Sequence, residues 1–310
     1  MRILISGSTG FLGTSLIESL EKNGHEIGRL VRPETGKQGS RSAGSPIRSG
    51  HTVAWDPLAG QFDAAGAEGA DAVVHLAGAS IADGRWNASR KSLLRTSRID
   101  ATRHLMNSLS KLKRPPSVVV ASSAVGYYGN RGDDTLTETS PPGKDFLAGL
   151  CREWESETAR GTEFGARVVS TRFGIVLASH GGALPRMAMP FKLGAGGRLG
   201  SGRQWMSWLI LREAVNIIEF ALASTSLAGP VNAVTPNPVQ NIEFTRVLAK
   251  TLHRPALFPA PVFALRLALG EMADGLLLAS QRVLPSKLES AGYRFLQPDL
   301  AKGLAEVFQS

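Results

Sequence analysis

The 310-residue chain carries a single cysteine, Cys151, which excludes an internal disulfide and any cysteine-rich metal site. Its six histidines show no HExxH or related spacing, so no metal is expected. Aromatic residues make up only 6% of the chain, and the three tyrosines stand at 127, 128 and 293. No uncharged apolar run approaches the roughly 18 residues of a membrane-spanning helix, so no integral membrane segment is expected. The apolar opening MRILIS is broken at once by Gly, Ser and Thr. It reads as a buried strand rather than a secretion signal, and the expected location is the cytoplasm.

Negative charge is also short: the formal net charge is +9. Between Arg85 and Arg114 lie nine Lys or Arg and one acid, Asp100, and Arg29, Arg32, Lys37, Arg41 and Arg48 form a second basic group. No zinc finger, RNP motif or aromatic-interleaved basic stretch accompanies them. The charge therefore reads as solvated helix faces plus a few phosphate contacts, and no nucleic-acid partner is expected.

Glycine, by contrast, is plentiful, at 34 residues. RILIS, EIGRLVR, HTVAWD, DAVVHLAG, SVVVASSA and ARVVSTRFGIVL read as strands. SLIESLEKNGH, the stretch 88–112 and FLAGLCREWESETAR read as helices between them. The strands are continuous apolar runs, as in a parallel sheet covered on both faces. The predicted class is α/β, a Rossmann doubly wound parallel sheet over residues 1–174, to which later segments may return. Residues 175–310, irregular and rich in Gly and Pro, are predicted to form a smaller C-terminal α+β lobe of substrate type. The polar stretch 33–50 reads as a loop.

In GSTGFLG, Gly7 permits a tight turn, Gly10 lets the backbone approach a pyrophosphate, and Gly13 lets the helix pack closely on the sheet. The phosphates would then sit at the helix amino end, on the free N–H groups around Thr9, Phe11 and Leu12. This GxxGxxG spacing resembles the short-chain dehydrogenase/reductase superfamily, in its extended, epimerase-like branch. The resemblance implies that Arg32, ending the second strand in LVRP, pairs with a 2′-phosphate, which makes NADP(H) the expected cofactor. It also implies that Asp56 meets the adenine, and that Leu76, Ala77 and Gly78 form the wall against which a ribose lies.

The same branch uses a Ser on the fifth strand and a Tyr four residues before a Lys. Ser123, in SSAVGYYG, is the implied counterpart of that Ser. The implied positions of Tyr and Lys hold Leu147 and Cys151, and Arg98 stands where an Asn is frequent. Tyr127 or Tyr128 is then the candidate proton donor, with Arg131, Arg98 or Arg85 lowering its pKa. Cys151 reads as core filler rather than a nucleophile, and Glu138 as a solvated loop acid, with contact to substrate the alternative. Arg85-Trp86 and Gln204–Trp208 offer planar surfaces near the presumed pocket, although Trp205 and Trp208 also have helical core spacing.

Six stretches spread over nearly the whole chain, among them HLAGASIADGRWNASRKSLLRTSR, GIVLASHGGALPRM and RVLPSKLESAGYRFLQPDL, resemble one atypical group of this superfamily. It is usually called the epimerase family proteins with a C-terminal domain of unknown function, and some members have been linked with cell or plastid division. The resemblance implies an NADP(H)-binding, epimerase- or oxidoreductase-like protein acting on an unknown small molecule, carbonyl or sugar-nucleotide-like. The alternative is a non-catalytic NADP(H)-binding sensor or scaffold, linked to cell division. A homodimer through long helices is common in the superfamily, and the resemblance leaves one open here.

Overall fold

The computed structural model of the chain describes residues 1–33 and 51–309; Lys37, Arg41 and Arg48 lie outside them. Among the described residues, one eight-stranded sheet organises the molecule. Its strands are β1 (Arg2–Ser6), β2 (Glu26–Val31), β3 (His51–Asp56), β4 (Gln61–Phe62), β5 (Ala72–His75), β6 (Val118–Ala124), β7 (Arg167–Phe173) and β8 (Gly229–Ala233). They lie in the order β8-β7-β6-β5-β1-β2-β3-β4, all parallel except the β3–β4 pair.

The central strands are apolar on both faces because both faces are covered. Ile3 and Ile5 of β1 enter one core, with Leu16, Ile17 and Leu20 of α1 (Phe11–Lys22). Leu4, between them, enters the other, with Leu105 and Leu109. Burying each such side chain contributes roughly 1.5–3 kcal/mol, so a strand open to water on one face would not carry this pattern.

The predicted long helix from residue 88 is interrupted. It runs as α2 (Ala88–Arg95) and α3 (Ala101–Leu109), joined by a π-helical turn over Thr96–Asp100. Helix α4 (Phe146–Ala159) starts where the Asp145 carboxylate accepts from the Ala148 amide, an N-cap that satisfies one orphan donor.

The predicted sixth strand is broken as well. At Gly174 the chain leaves the main sheet, and Ile175–Leu177 pairs instead with Trp208–Ile210. A Cβ at Gly174 would lie 2.5 Å from the Ser207 carbonyl oxygen, so this crossing requires glycine. Trp205 and Trp208 thus sit in short strands, not on a helix face.

The chain also returns to the Rossmann half after residue 174. Helix α5 (Leu211–Ala223) packs against α1, and β8 closes the edge of the sheet beside β7. Residues 211–233 therefore belong to the sheet unit, within the stretch read from sequence as the C-terminal lobe. Glu213, fully buried on α5, accepts hydrogen bonds from the Tyr293 hydroxyl and the Leu296 and Gln297 amides, tying the C-terminal segment down. Among the described residues, no helix is long and apolar enough to cross a membrane.

Candidate functional site

In a doubly wound sheet the ligand site lies off the carboxyl ends of the parallel strands. Gly7 leaves β1 with φ +71°, and a Cβ there would lie 2.8 Å from the Leu76 carbonyl carbon. Gly13, in the first turn of α1, could bear no Cβ without meeting the Gly7 oxygen at 2.2 Å. The turn, the helix start and the strand after β5 are thus pressed together at backbone distance. Thr9 and Gly10 stay exposed above them, with Phe11 and Leu12 half-buried beside them. Gly10 is the N-cap of α1 without a side-chain cap, which leaves the first amides of the helix to another acceptor.

A buried polar chain fixes the opposite wall, Leu76 to Gly78. His75 bridges the hydroxyls of Ser6 (2.6 Å from Nδ1) and Thr102 (2.9 Å from Nε2). Thr102 accepts from the Trp154 indole at 3.0 Å, and Ser6 Oγ accepts from the Ala77 amide at 3.3 Å. Burial, assisted by the charge of Arg98, holds the His75 pKa down to about 4, so the ring is neutral at neutral pH.

At the far end of the cradle, Arg32 is exposed at the end of β2. Asp56, closing β3, accepts from the Ala59 and Leu58 amides; these bonds, with Arg32 contributing, hold its carboxyl below the usual range. Arg29 points elsewhere, toward Glu21 of α1 at 4.0 Å.

Ser123, near the end of β6, donates to Glu155 Oε1 at 2.6 Å. Glu155 is held in turn by Arg172 of β7, through Nε at 2.8 Å and Nη2 at 2.7 Å, a two-pronged pair in which Arg172 is almost wholly buried. Arg172 continues to the Tyr128 hydroxyl at 2.9 Å, and its guanidinium carbon lies 3.4 Å from the centre of the Tyr127 ring.

The structure separates the two tyrosines. Tyr128 is fully buried, and its hydroxyl donates to Asn232 of β8 at 2.6 Å. Burial pushes its pKa up to about 12 despite Arg172, and both its hydrogen-bond partners lie on strands of the sheet. Tyr127 is half-buried, and among the described residues its hydroxyl has no hydrogen-bond partner. Of the suggested cations, Arg131 is engaged by Asp134 and Pro141, and Arg85 by the Leu267 carbonyl, so Arg172 is the one that meets the tyrosines. Glu138 lies in a turn but is not solvated: it is buried, and accepts from the Asn232 and Lys287 amides.

Helix α4 places Leu147 and Cys151 beside this network, and both are buried. Burial and Glu155 push the Cys151 thiol up to about 12, against the pull of Arg98, which makes it inert at neutral pH. Leu147 lines a cavity of about 450 Å³ between the two halves, with Trp86, Gln204 and the charged residues Asp145, Glu271, Asp274 and Arg266. Among the described residues no group of His, Cys, Asp and Glu could hold a metal. Sequence reasoning missed Glu155 and Arg172 as site residues because nothing local marks a salt bridge between a helix and a neighbouring strand.

Residues 3–233 match the sequence profile described as the NAD dependent epimerase/dehydratase family, and residues 260–307 match a domain of unknown function. Epimerase family protein Mb2239 of Mycobacterium bovis is 40% identical over 302 residues, covering 97% of this chain and 96% of that protein. The crystal structure of human epimerase family protein SDR39U1 (isoform 2) with NADPH is similar at a TM-score of 0.87 and 32% identity, covering 100% of this chain and 99% of that one. UDP-glucose 4-epimerase of Thermotoga maritima, at a TM-score of 0.77 and 16% identity over 100% of this chain and 99% of that one, shares the fold alone.

Proposed function

The chain belongs to the NAD dependent epimerase/dehydratase family, and from that premise we propose that it binds NADP(H) and exchanges hydride with a small carbonyl- or sugar-like substrate. The observation that carries the reading is the glycine turn: Gly7 and Gly13 have no room for a side chain, while Gly10 and the uncapped start of α1 lie open above them. That arrangement fits a pyrophosphate. When bound, NADP(H) supplies the hydride acceptor or donor. Arg32 holds the 2′-phosphate, Asp56 the adenine end, and Leu76, Ala77 and Gly78 the ribose. Ser123 orients the substrate oxygen, and Tyr127, whose hydroxyl is free, handles the proton.

Calorimetric titration of the nucleotide-stripped protein with NADPH and NADH tests the binding. NADPH should bind in preference, and Arg32→Ala should weaken it roughly 10- to 100-fold, the worth of charged hydrogen bonds to a phosphate. Failure to bind either nucleotide overturns the reading. A second reading, a non-catalytic NADP(H)-binding protein, is favoured by the buried Leu147 and Cys151, which stand at the implied positions of the Tyr and Lys. A carbonyl-substrate screen showing NADPH oxidation well above background removes it.

A further inference from the structure

The cavity between the two halves has one cation in its wall, and that cation is already engaged. Arg266 donates to Asp274 through Nε at 3.1 Å and Nη2 at 2.9 Å. Glu271, another acid of the wall, is met at 2.5 Å by Lys91, which reaches it from α2. The amino end of α4 also opens on the cavity, but the Asp145 carboxylate occupies it by accepting from the Ala148 amide. Phosphates are held by free Arg or Lys side chains and by uncapped helix starts. Among the described residues lining the cavity neither is left over, in contrast to the bare start of α1 in the glycine turn.

What is left is neutral and oriented. Gln204, 7% exposed, donates through Nε2 to the Leu199 and Leu277 carbonyls at 3.1 and 3.0 Å. Only the amide nitrogen can donate to both carbonyls, so the orientation of this side chain is fixed and Oε1 is turned away from them. Among the described residues Oε1 meets no donor, and it is not sealed off, so it stands as an open acceptor in the cavity that Gln204 lines. An acceptor held this way pairs with a hydroxyl or an N–H and disfavours the oxygens of a phosphate. Asn130 adds only a neutral N–H donor, since its oxygen accepts from the Ser280 amide at 3.0 Å. The rest of the wall is largely carbon. Trp86 packs edge-on against Phe146, ring centres 5.5 Å apart, and spends its indole N–H on the Ile81 carbonyl at 3.0 Å.

We propose that this cavity is the site of an uncharged ligand with an apolar body and a hydroxyl or amide N–H, which Gln204 Oε1 reads, and that it excludes nucleoside-diphosphate sugars. As a statement of substrate class the proposal rests on the NADP(H) reading above, and it narrows the substrate to a compound without phosphate groups. Gln204 is then the residue that sets specificity.

Ligand-observed NMR of the protein, with and without NADPH, tests it with phenol, with anisole, which is the same ring with its donor methylated, and with UDP-glucose. Wild type should bind phenol roughly 2- to 10-fold more tightly than anisole, as for one hydrogen bond. UDP-glucose should not displace phenol from the NADPH-loaded protein. Gln204→Met should bring phenol and anisole within about twofold of each other. Val262→Trp, which fills the cavity from the Val262–Leu269 helix and leaves the Gln204 bonds alone, should abolish phenol binding. Displacement of phenol by UDP-glucose overturns the proposal. Equal affinity of wild type for phenol and anisole, or a preference that survives Gln204→Met, overturns it as well. So does phenol that fails to bind wild type, or that binds Val262→Trp undiminished. Phenol bound with these preferences by a protein that does not bind NADPH overturns the cofactor reading and leaves the ligand site standing.

Discussion

Replacing Arg172 by Met should be among the most damaging single changes outside the apolar core. Arg172 is 2% exposed, and it supplies both prongs of the Glu155 pair, a donor to Tyr128 and the cation over Tyr127. Met fills much of the same volume but leaves Glu155, only 14% exposed, with the Ser123 hydroxyl as its remaining partner. Stranding one member of a buried ion pair costs about 3–5 kcal/mol. Glu155→Gln is milder, about 1.5–3 kcal/mol, because the amide oxygen still accepts from Arg172 and Ser123. The double variant should cost less than the sum of the two by about 0.5–3 kcal/mol, since no stranded carboxylate is left. At about 2 °C per kcal/mol for a chain of this size, Arg172→Met should melt about 6–10 °C lower. Chemical denaturation of the four proteins, ligand-free and followed by circular dichroism, measures the cycle. A loss below about 1 kcal/mol for Arg172→Met, the scale of an exposed pair, would refute the reasoning by showing that water replaces the guanidinium.

Three further outcomes are expected. Gly13→Ala, whose Cβ would meet a backbone oxygen at 2.2 Å, must displace α1 from the turn; NADPH affinity should fall by at least tenfold in calorimetry, and wild-type affinity would count against the cradle. Tyr128→Phe should lose about 1–3 kcal/mol in the same denaturation assay by unpairing Arg172 and Asn232, whereas Tyr127→Phe should keep its stability and, with any substrate found, turn over roughly 10²–10⁴-fold more slowly. His75 has a folded pKa of about 4 against 6.5 unfolded, so the unfolded chain binds the extra proton between those values and stability falls as pH drops from 6.5 toward 4. That fall is worth about 3 kcal/mol, and stability measured against pH should lose this component in His75→Gln.

The strands of the Rossmann half were legible because double-sided burial writes itself as an unbroken apolar run, as in RILIS and SVVVASSA. The glycine turn was legible because its backbone contacts leave no alternative residue. β8 was not: GPVNA is a short edge strand opening on Gly-Pro, and only the exposed side of β7 tells it where to go. The break at Gly174 escaped notice because Ile175–Leu177 is as apolar as the strand before it and changes partner rather than character. The π-helical turn has no mark in TSRID, so the sealing of Arg98 Nη1 could not be read from its charge. The two tyrosines look alike in SSAVGYYG; Asn232 and Arg172, distant in sequence, are what set them apart.

The polar chain that starts at Ser123 also bears on how this molecule can be divided and inherited. It runs through Glu155 to Arg172, then Tyr128 and Asn232, and Glu138 carries it to the Lys287 amide. A cut between residues 233 and 260, where the two family matches leave a gap, removes Lys287 from Glu138 and the Leu284 carbonyl from Asn232. Removing the C-terminal segment would strip buried partners from the site rather than lift off a detachable cap. The two matched stretches are therefore expected to travel through evolution as one cistron, co-inherited because each completes the other's buried polar groups.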